Sequence, residues 1–113
     1  MWPLLVGPLA AKRHLLLGDP LTAADAVRLG VAVESCGAEQ VSERGRAWAK
    51  RLAAKPPLAV RLAKEAVLRA FDAPLAEALA AERQAFALLA SSHDRNEGIA
   101  AFLGKRPPQF TGR

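Results

Sequence analysis

One cysteine, Cys36, and two histidines, His14 and His93, leave this chain little of the chemistry that depends on those residues. A lone thiol excludes an internal disulfide, and two distant histidines give no zinc-ligand spacing, so no metal site is expected. A reducing cytoplasm suits such a chain. No apolar run approaches the roughly 18 to 20 residues that a membrane-spanning helix requires, so no membrane partner is expected. The apolar start, Met1 to Val6, has neither a basic leader nor a small-residue cleavage site, and secretion is not expected. Lysine and arginine exceed the acids by 16 to 11. They are spread from Lys12 to Arg113 rather than gathered in a run, which is the pattern of a solvated face and not of a nucleic-acid interface.

What is present reads as helix. At 113 residues the chain is one domain or part of one. Glycine and proline divide it into blocks whose apolar residues recur at helical spacing. Pro8 opens a first helix over Leu9 to Leu17, stopped by Gly18-Asp19-Pro20. Thr22 suits the N-cap of a short helix over Ala23 to Leu29, with Gly30 in the left-handed position after it. Val31-Ala32-Val33 is β-branched enough for one brief extended piece.

A long helix follows from about Glu39 to Ala54, with Val41, Ala47, Trp48 and Leu52 available for a buried stripe. Lys55-Pro56-Pro57 ends it. The next helix, near Leu58 to Phe71, places Ala59, Leu62, Ala63, Ala66, Val67 and Ala70 on one face for close packing. Another, near Leu75 to Leu89, carries Leu75, Leu79, Phe86 and Leu89. Asp94 and Glu97 have capping-box spacing at the start of a last helix that runs to about Leu103. Gly104 permits a left-handed cap there, and Pro107-Pro108 forbid continuation, leaving a non-helical tail.

No residue pattern here completes a catalytic constellation. Glu34, Glu39, Glu43, Glu65, Glu77, Glu82 and Glu97 are better read as solvated or capping, since no pair stands beside a donor loop. Ser35 with His14 or His93 lacks the strand-turn-helix Gly-x-Ser-x-Gly context of an activated serine. Cys36 is read as a small apolar residue. No catalytic residue is assigned.

Two blocks carry a resemblance. Lys55-Pro56-Pro57-Leu58-Ala59-Val60-Arg61-Leu62-Ala63-Lys64-Glu65-Ala66-Val67 and the run from Asp94-Arg95-Asn96-Glu97-Gly98-Ile99-Ala100-Ala101-Phe102-Leu103-Gly104-Lys105-Arg106 to Gly112 closely resemble the C-terminal region of the enoyl-CoA hydratase/isomerase, or crotonase, family. Leu4-Leu5-Val6-Gly7, Leu17 to Ala26 and Leu29-Gly30-Val31-Ala32 are similar to its preceding segments, in the same order.

That resemblance implies a mainly α chain, the helical C-terminal region of a crotonase-like fold with at most one short strand. Residues 1–37 would be the last turn of the family's core and residues 38–113 its C-terminal helical oligomerisation region. The family hydrates 2-enoyl-CoA thioesters with two glutamates and two oxyanion-hole amides that lie upstream of the matched region. The resemblance therefore implies a chain that is inactive alone, needs no cofactor, contacts acyl-CoA, and assembles as a trimer-type homo-oligomer or with a complementary N-terminal half. A noncatalytic helical module that assembles with itself or a complete homologue is the alternative. By the same resemblance Lys105, Phe102 and Phe86 match positions lining the acyl-CoA site, with the lysine reaching a nucleotide phosphate. The residues alone allow a plainer role, the phenylalanines in a helix core and Lys105 at the carbonyl end of the last helix.

Overall fold

The structure, a computed structural model, describes residues 2–113. Its helices follow in the order α1 (Trp2–Val6), α2 (Pro8–Leu17), α3 (Ala23–Arg28), a 3-10 turn at Ala38–Gln40, α4 (Val41–Ala53), α5 (Pro57–Asp72), α6 (Leu75–Ala90) and α7 (His93–Leu103). Two compact units divide the chain, one ending at Arg44 and the other running from Gly45 to Arg113.

In the first unit α1 packs on α2 across Gly7, whose φ of 80° is open to a residue without a Cβ. Ala11, at 2% exposure, is its buried apolar residue. The Trp2 ring meets the His14 ring edge-on, with centroids 6.3 Å apart. His14 Nδ1 lies 3.0 Å from the Asp19 carbonyl oxygen, an acceptor that selects the tautomer with its proton on Nδ1. This histidine is therefore engaged in holding the α2 exit. Thr22 caps α3, its hydroxyl oxygen accepting from the Asp25 amide at 3.1 Å. Asp25 also accepts from Arg28 at 2.6 Å and from the Thr22 hydroxyl, and these bonds hold its carboxyl below the ordinary value.

The short strand expected at Val31-Ala32-Val33 does not form, and no strand occurs among the described residues. The Val31 and Ala32 amides instead both donate to the Ala26 carbonyl, at 2.8 and 3.0 Å, closing the end of α3 around Gly30 at φ 74°. Those donors are spent locally, so β propensity had no ladder to join.

In the second unit α5 packs on α6. Pro57 stands at the first turn of α5, where its missing N–H costs nothing. The half-buried positions on α6 are Ala78, Ala80, Ala81, Ala85 and Leu89, and those on α5 include Ala59, Leu62 and Ala66. Small side chains make this seam. Of the apolar residues that the sequence places on α6, Leu89 is half-buried, whereas Leu75 and Phe86 are each 74% exposed. The buried stripe expected on α4 is absent: Val41, Ala47, Trp48 and Leu52 are all exposed, and Arg51 lies over the Trp48 ring at 5.1 Å from its centroid. Phe102, read alternatively as a core residue, is 83% exposed.

Candidate functional site

Among the described residues, side-chain hydrogen bonds gather where the tail after α7 folds back along that helix. The arrangement begins with how α7 ends. The Lys105 amide donates to Phe102 O at 3.2 Å and the Arg106 amide to Ala101 O at 3.0 Å, the paired pattern of a Schellman motif. That motif places Lys105 in the position usually held by glycine. Its φ is 49°, the one positive value at a non-glycine residue among those described. A side chain there costs roughly 1 to 2 kcal/mol. The glycine expected to take this conformation, Gly104, instead has φ −79°, where a Cβ would lie a tight 3.1 Å from the Ala100 carbonyl oxygen.

Past Lys105 the chain is held by two carboxylates. Glu97 accepts from both terminal nitrogens of Arg106, at 2.6 and 2.8 Å, and from the Gln109 amide at 2.8 Å. The guanidinium fork and that amide draw its carboxyl down to about 2, and Glu97 in turn raises Arg106 further above its ordinary value. Asp94, 2% exposed, accepts from the amides of Thr111 and Gly112 at 2.7 and 2.8 Å and from the Thr111 hydroxyl at 3.3 Å. Burial works to raise this carboxyl, but the Thr111 and Gly112 bonds outweigh it and leave it below its ordinary value. The Asp94 amide completes the clasp by donating to Arg113 O at 3.0 Å.

The tail runs within ordinary contact distance of the helices at two glycines. A Cβ on Gly98 would stand 3.7 Å from the Phe110 ring, and one on Gly112, at φ 81°, would stand 3.6 Å from Pro57 at the start of α5.

This arrangement corrects the capping box. The N-cap of α7 is Ser92, whose hydroxyl oxygen accepts from the Arg95 amide at 3.2 Å. Asp94 and Glu97 turn to the tail. Their spacing was legible, but their partners lie up to 18 residues away in sequence, beyond any local pattern. Arg106 carries only a weak sequence signal, a cation between a helix stop and two prolines.

Of the three residues expected at a ligand site, Phe102 and Lys105 are joined by the hydrogen bond that ends α7, and both side chains are exposed. Phe86 stands on α6, exposed as well. An exposed ammonium and an exposed phenyl ring at the same helix end can offer an anion a point charge and an apolar group some contact area. Proton abstraction is a poorer fit to the carboxylates here. Glu97, Asp94 and Asp25 are engaged by donors that stabilise the ionised form, which weakens each as a base. Glu65 faces Arg61 at 3.9 Å and Glu34 faces Arg44 at 3.4 Å. Among the described residues no group of three His, Cys, Asp or Glu is placed to hold a metal ion, and no helix is long and apolar enough to cross a membrane.

Known proteins extend the comparison to the whole chain. The family model described as enoyl-CoA hydratase/isomerase matches residues 1–113. The chain is 39% identical over 108 residues to the 2,3-dehydroadipyl-CoA hydratase of Escherichia coli K12, covering 96% of this chain and 42% of that protein. It is 34% identical over 111 residues to the crotonyl-CoA hydratase of Syntrophomonas wolfei, covering 98% of this chain and 43% of that one. Among solved structures, enoyl-CoA hydratase subunit I from Geobacillus kaustophilus superposes with a TM-score of 0.93 at 44% identity, over 99% of this chain and 44% of the other. The chain thus spans about two-fifths of the length of the relatives it matches, and its helices are those of a crotonase-fold enzyme. A match along its entire length, in sequence and in backbone, means that this chain belongs to the enoyl-CoA hydratase/isomerase family.

Proposed function

We propose that this chain is the C-terminal part of an acyl-CoA-handling member of its family, that it contributes contacts to the CoA moiety and an assembly surface, and that it does not hydrate 2-enoyl-CoA alone. The observation that carries this reading is the clasped tail, which presents Lys105 and Phe102 to solvent while its own carboxylates are tied to the backbone and to Arg106. A carboxylate drawn down to about 2 holds its negative charge for structure and has little appetite for a substrate proton. Addition of water across an enoyl thioester needs paired acid–base groups and donors aimed at the thioester oxygen. In this reading both come from outside the chain. In this reading no resident cofactor is required, because adding water across a double bond transfers no net electrons.

Within that assignment residues 1–37 form the last turn of the family's core and residues 38–113 the helical assembly region, in a cytoplasmic protein. The order of the motifs supports it, with the Pro56-Pro57 block preceding the Asp94 to Gly112 block as in the family's C-terminal region. Lys105, Phe102 and Phe86 are the CoA-contacting residues, the lysine on a phosphate. Titration calorimetry with CoA tests this. Binding is expected with the wild-type chain and is expected to weaken about tenfold in Lys105→Ala, the size of one charge-assisted contact. Equal affinities would refute the assignment of Lys105.

A specific observation favours a second reading, a noncatalytic module that assembles with itself or with a complete homologue. Large apolar side chains stand in solvent along several helices, among them Leu9 at 82%, Leu16 at 77% and Leu103 at 75% exposure. Exposed apolar side chains in such number suit an interface. Light scattering behind a sizing column separates the cases: a trimer or other oligomer supports assembly, and a clean monomer at high concentration argues against it.

A further inference from the structure

We infer that Glu97 is a positioning residue for Lys105, holding it through Arg106 in the left-handed conformation from which its ammonium meets a phosphate of CoA. This rests on the reading of Lys105 as a phosphate contact. The geometry runs through three consecutive steps. Lys105 occupies the glycine position of a Schellman motif, at φ 49°. The next residue, Arg106, is fixed at its backbone by the Ala101 carbonyl and at its guanidinium by both oxygens of Glu97. Three residues further on, the Gln109 amide is held by the same carboxylate.

Strain of this kind persists only where the surroundings over-determine it, and it collects at ligand contacts. A helix end alone does not require a lysine there, since glycine closes a Schellman motif without strain. The lysine is exposed, whereas Glu97 retains only 15% side-chain exposure, so the carboxylate is the better-covered anchor and the ammonium the outer end. A planar guanidinium gripped at two points resists rotation more than a single contact would, and this transmits a fixed direction to the residue before it.

The test compares the affinities for CoA and for pantetheine, which lacks the nucleotide and its phosphates. The wild-type chain is expected to prefer CoA by about tenfold. Lys105→Gly is expected to abolish that preference while melting no lower than wild type, because it removes the charge and relieves the backbone together. Glu97→Gln is expected to lose most of the preference while pantetheine affinity holds, and to lose the strong intraresidue amide-to-Hα Overhauser effect that a positive φ gives Lys105. A general structural role for Glu97 would lower both affinities alike and would overturn the inference. So would a CoA preference lost in Lys105→Gly but kept in Glu97→Gln. A wild-type chain without the preference, or a Lys105→Gly chain that keeps it, would overturn the phosphate reading itself.

Discussion

Glu97 and Arg106 face each other two-pronged, Nη1 to Oε1 at 2.6 Å and Nη2 to Oε2 at 2.8 Å, across the turn that ends α7. The pair is half-exposed on the arginine side and mostly covered on the glutamate side, with side-chain exposures of 47% and 15%. Covering the acceptor while leaving part of the donor wet gives the contact its geometry without burying two charges.

Acid should open the clasp. The Glu97 carboxyl is depressed from 4.5 to about 2, and Asp94 is also lowered. A depressed carboxyl contributes stability that is present above its unfolded value and is lost as the pH falls through its folded value. For Glu97 the loss runs from about 4.5 down to about 2. Amide protection at Gln109, Thr111 and Gly112 is expected to fall across that window while the α5 and α6 amides stay protected. Protection of those tail amides that is insensitive to acid would count against the clasp.

Asp94→Asn keeps the shape and removes the charge. An amide group turned to the same place offers a donor where the Thr111 and Gly112 amides already donate, so at least one of them loses its partner. The expected result is a melting temperature lower by several degrees, with faster exchange at both amides. A thermal melt with site-resolved exchange checks it.

Two glycine substitutions should act in opposite directions. Gly98→Ala places a Cβ at an ordinary 3.7 Å from Phe110 in the body of α7, so the gain in helix propensity of about 0.5 to 1 kcal/mol should appear as stabilisation. Gly30→Ala meets no atom within 4 Å, yet it forces a side chain to φ 74° and should cost roughly 1 to 2 kcal/mol. Denaturant midpoints report both.

The sequence exposes the helices far better than it exposes their partners. The borders of α2, α3 and α5 follow from Pro8, Thr22, Gly30 and Pro57, because φ restrictions and missing donors act within a few residues, whereas α7 is capped by Ser92 and closed by Lys105 instead of by Asp94 and Gly104. Helix α1, with Pro3 in its first turn, is too short for a periodic signal. Apolar periodicity on α4 marks a face but not its cover, and Trp48 and Leu52 stand exposed in this chain. The Asp94 and Glu97 pair shows the sharper limit: i,i+3 spacing suits a capping box and a tail clasp equally, and only the fold distinguishes them. For the candidate site, Lys105 and Phe102 come from the family resemblance, whereas the device that orients Lys105 is visible only in three dimensions.

The most direct test is hydration of crotonyl-CoA, followed by loss of the enoyl-thioester absorbance, with the purified chain alone and then mixed with a separately made N-terminal half of a family enzyme. The account predicts no turnover above background from the chain alone and turnover in the mixture. Robust turnover by the chain alone would contradict it, since the acid–base pair and the oxyanion donors would then reside in residues assigned here to structure and CoA contact.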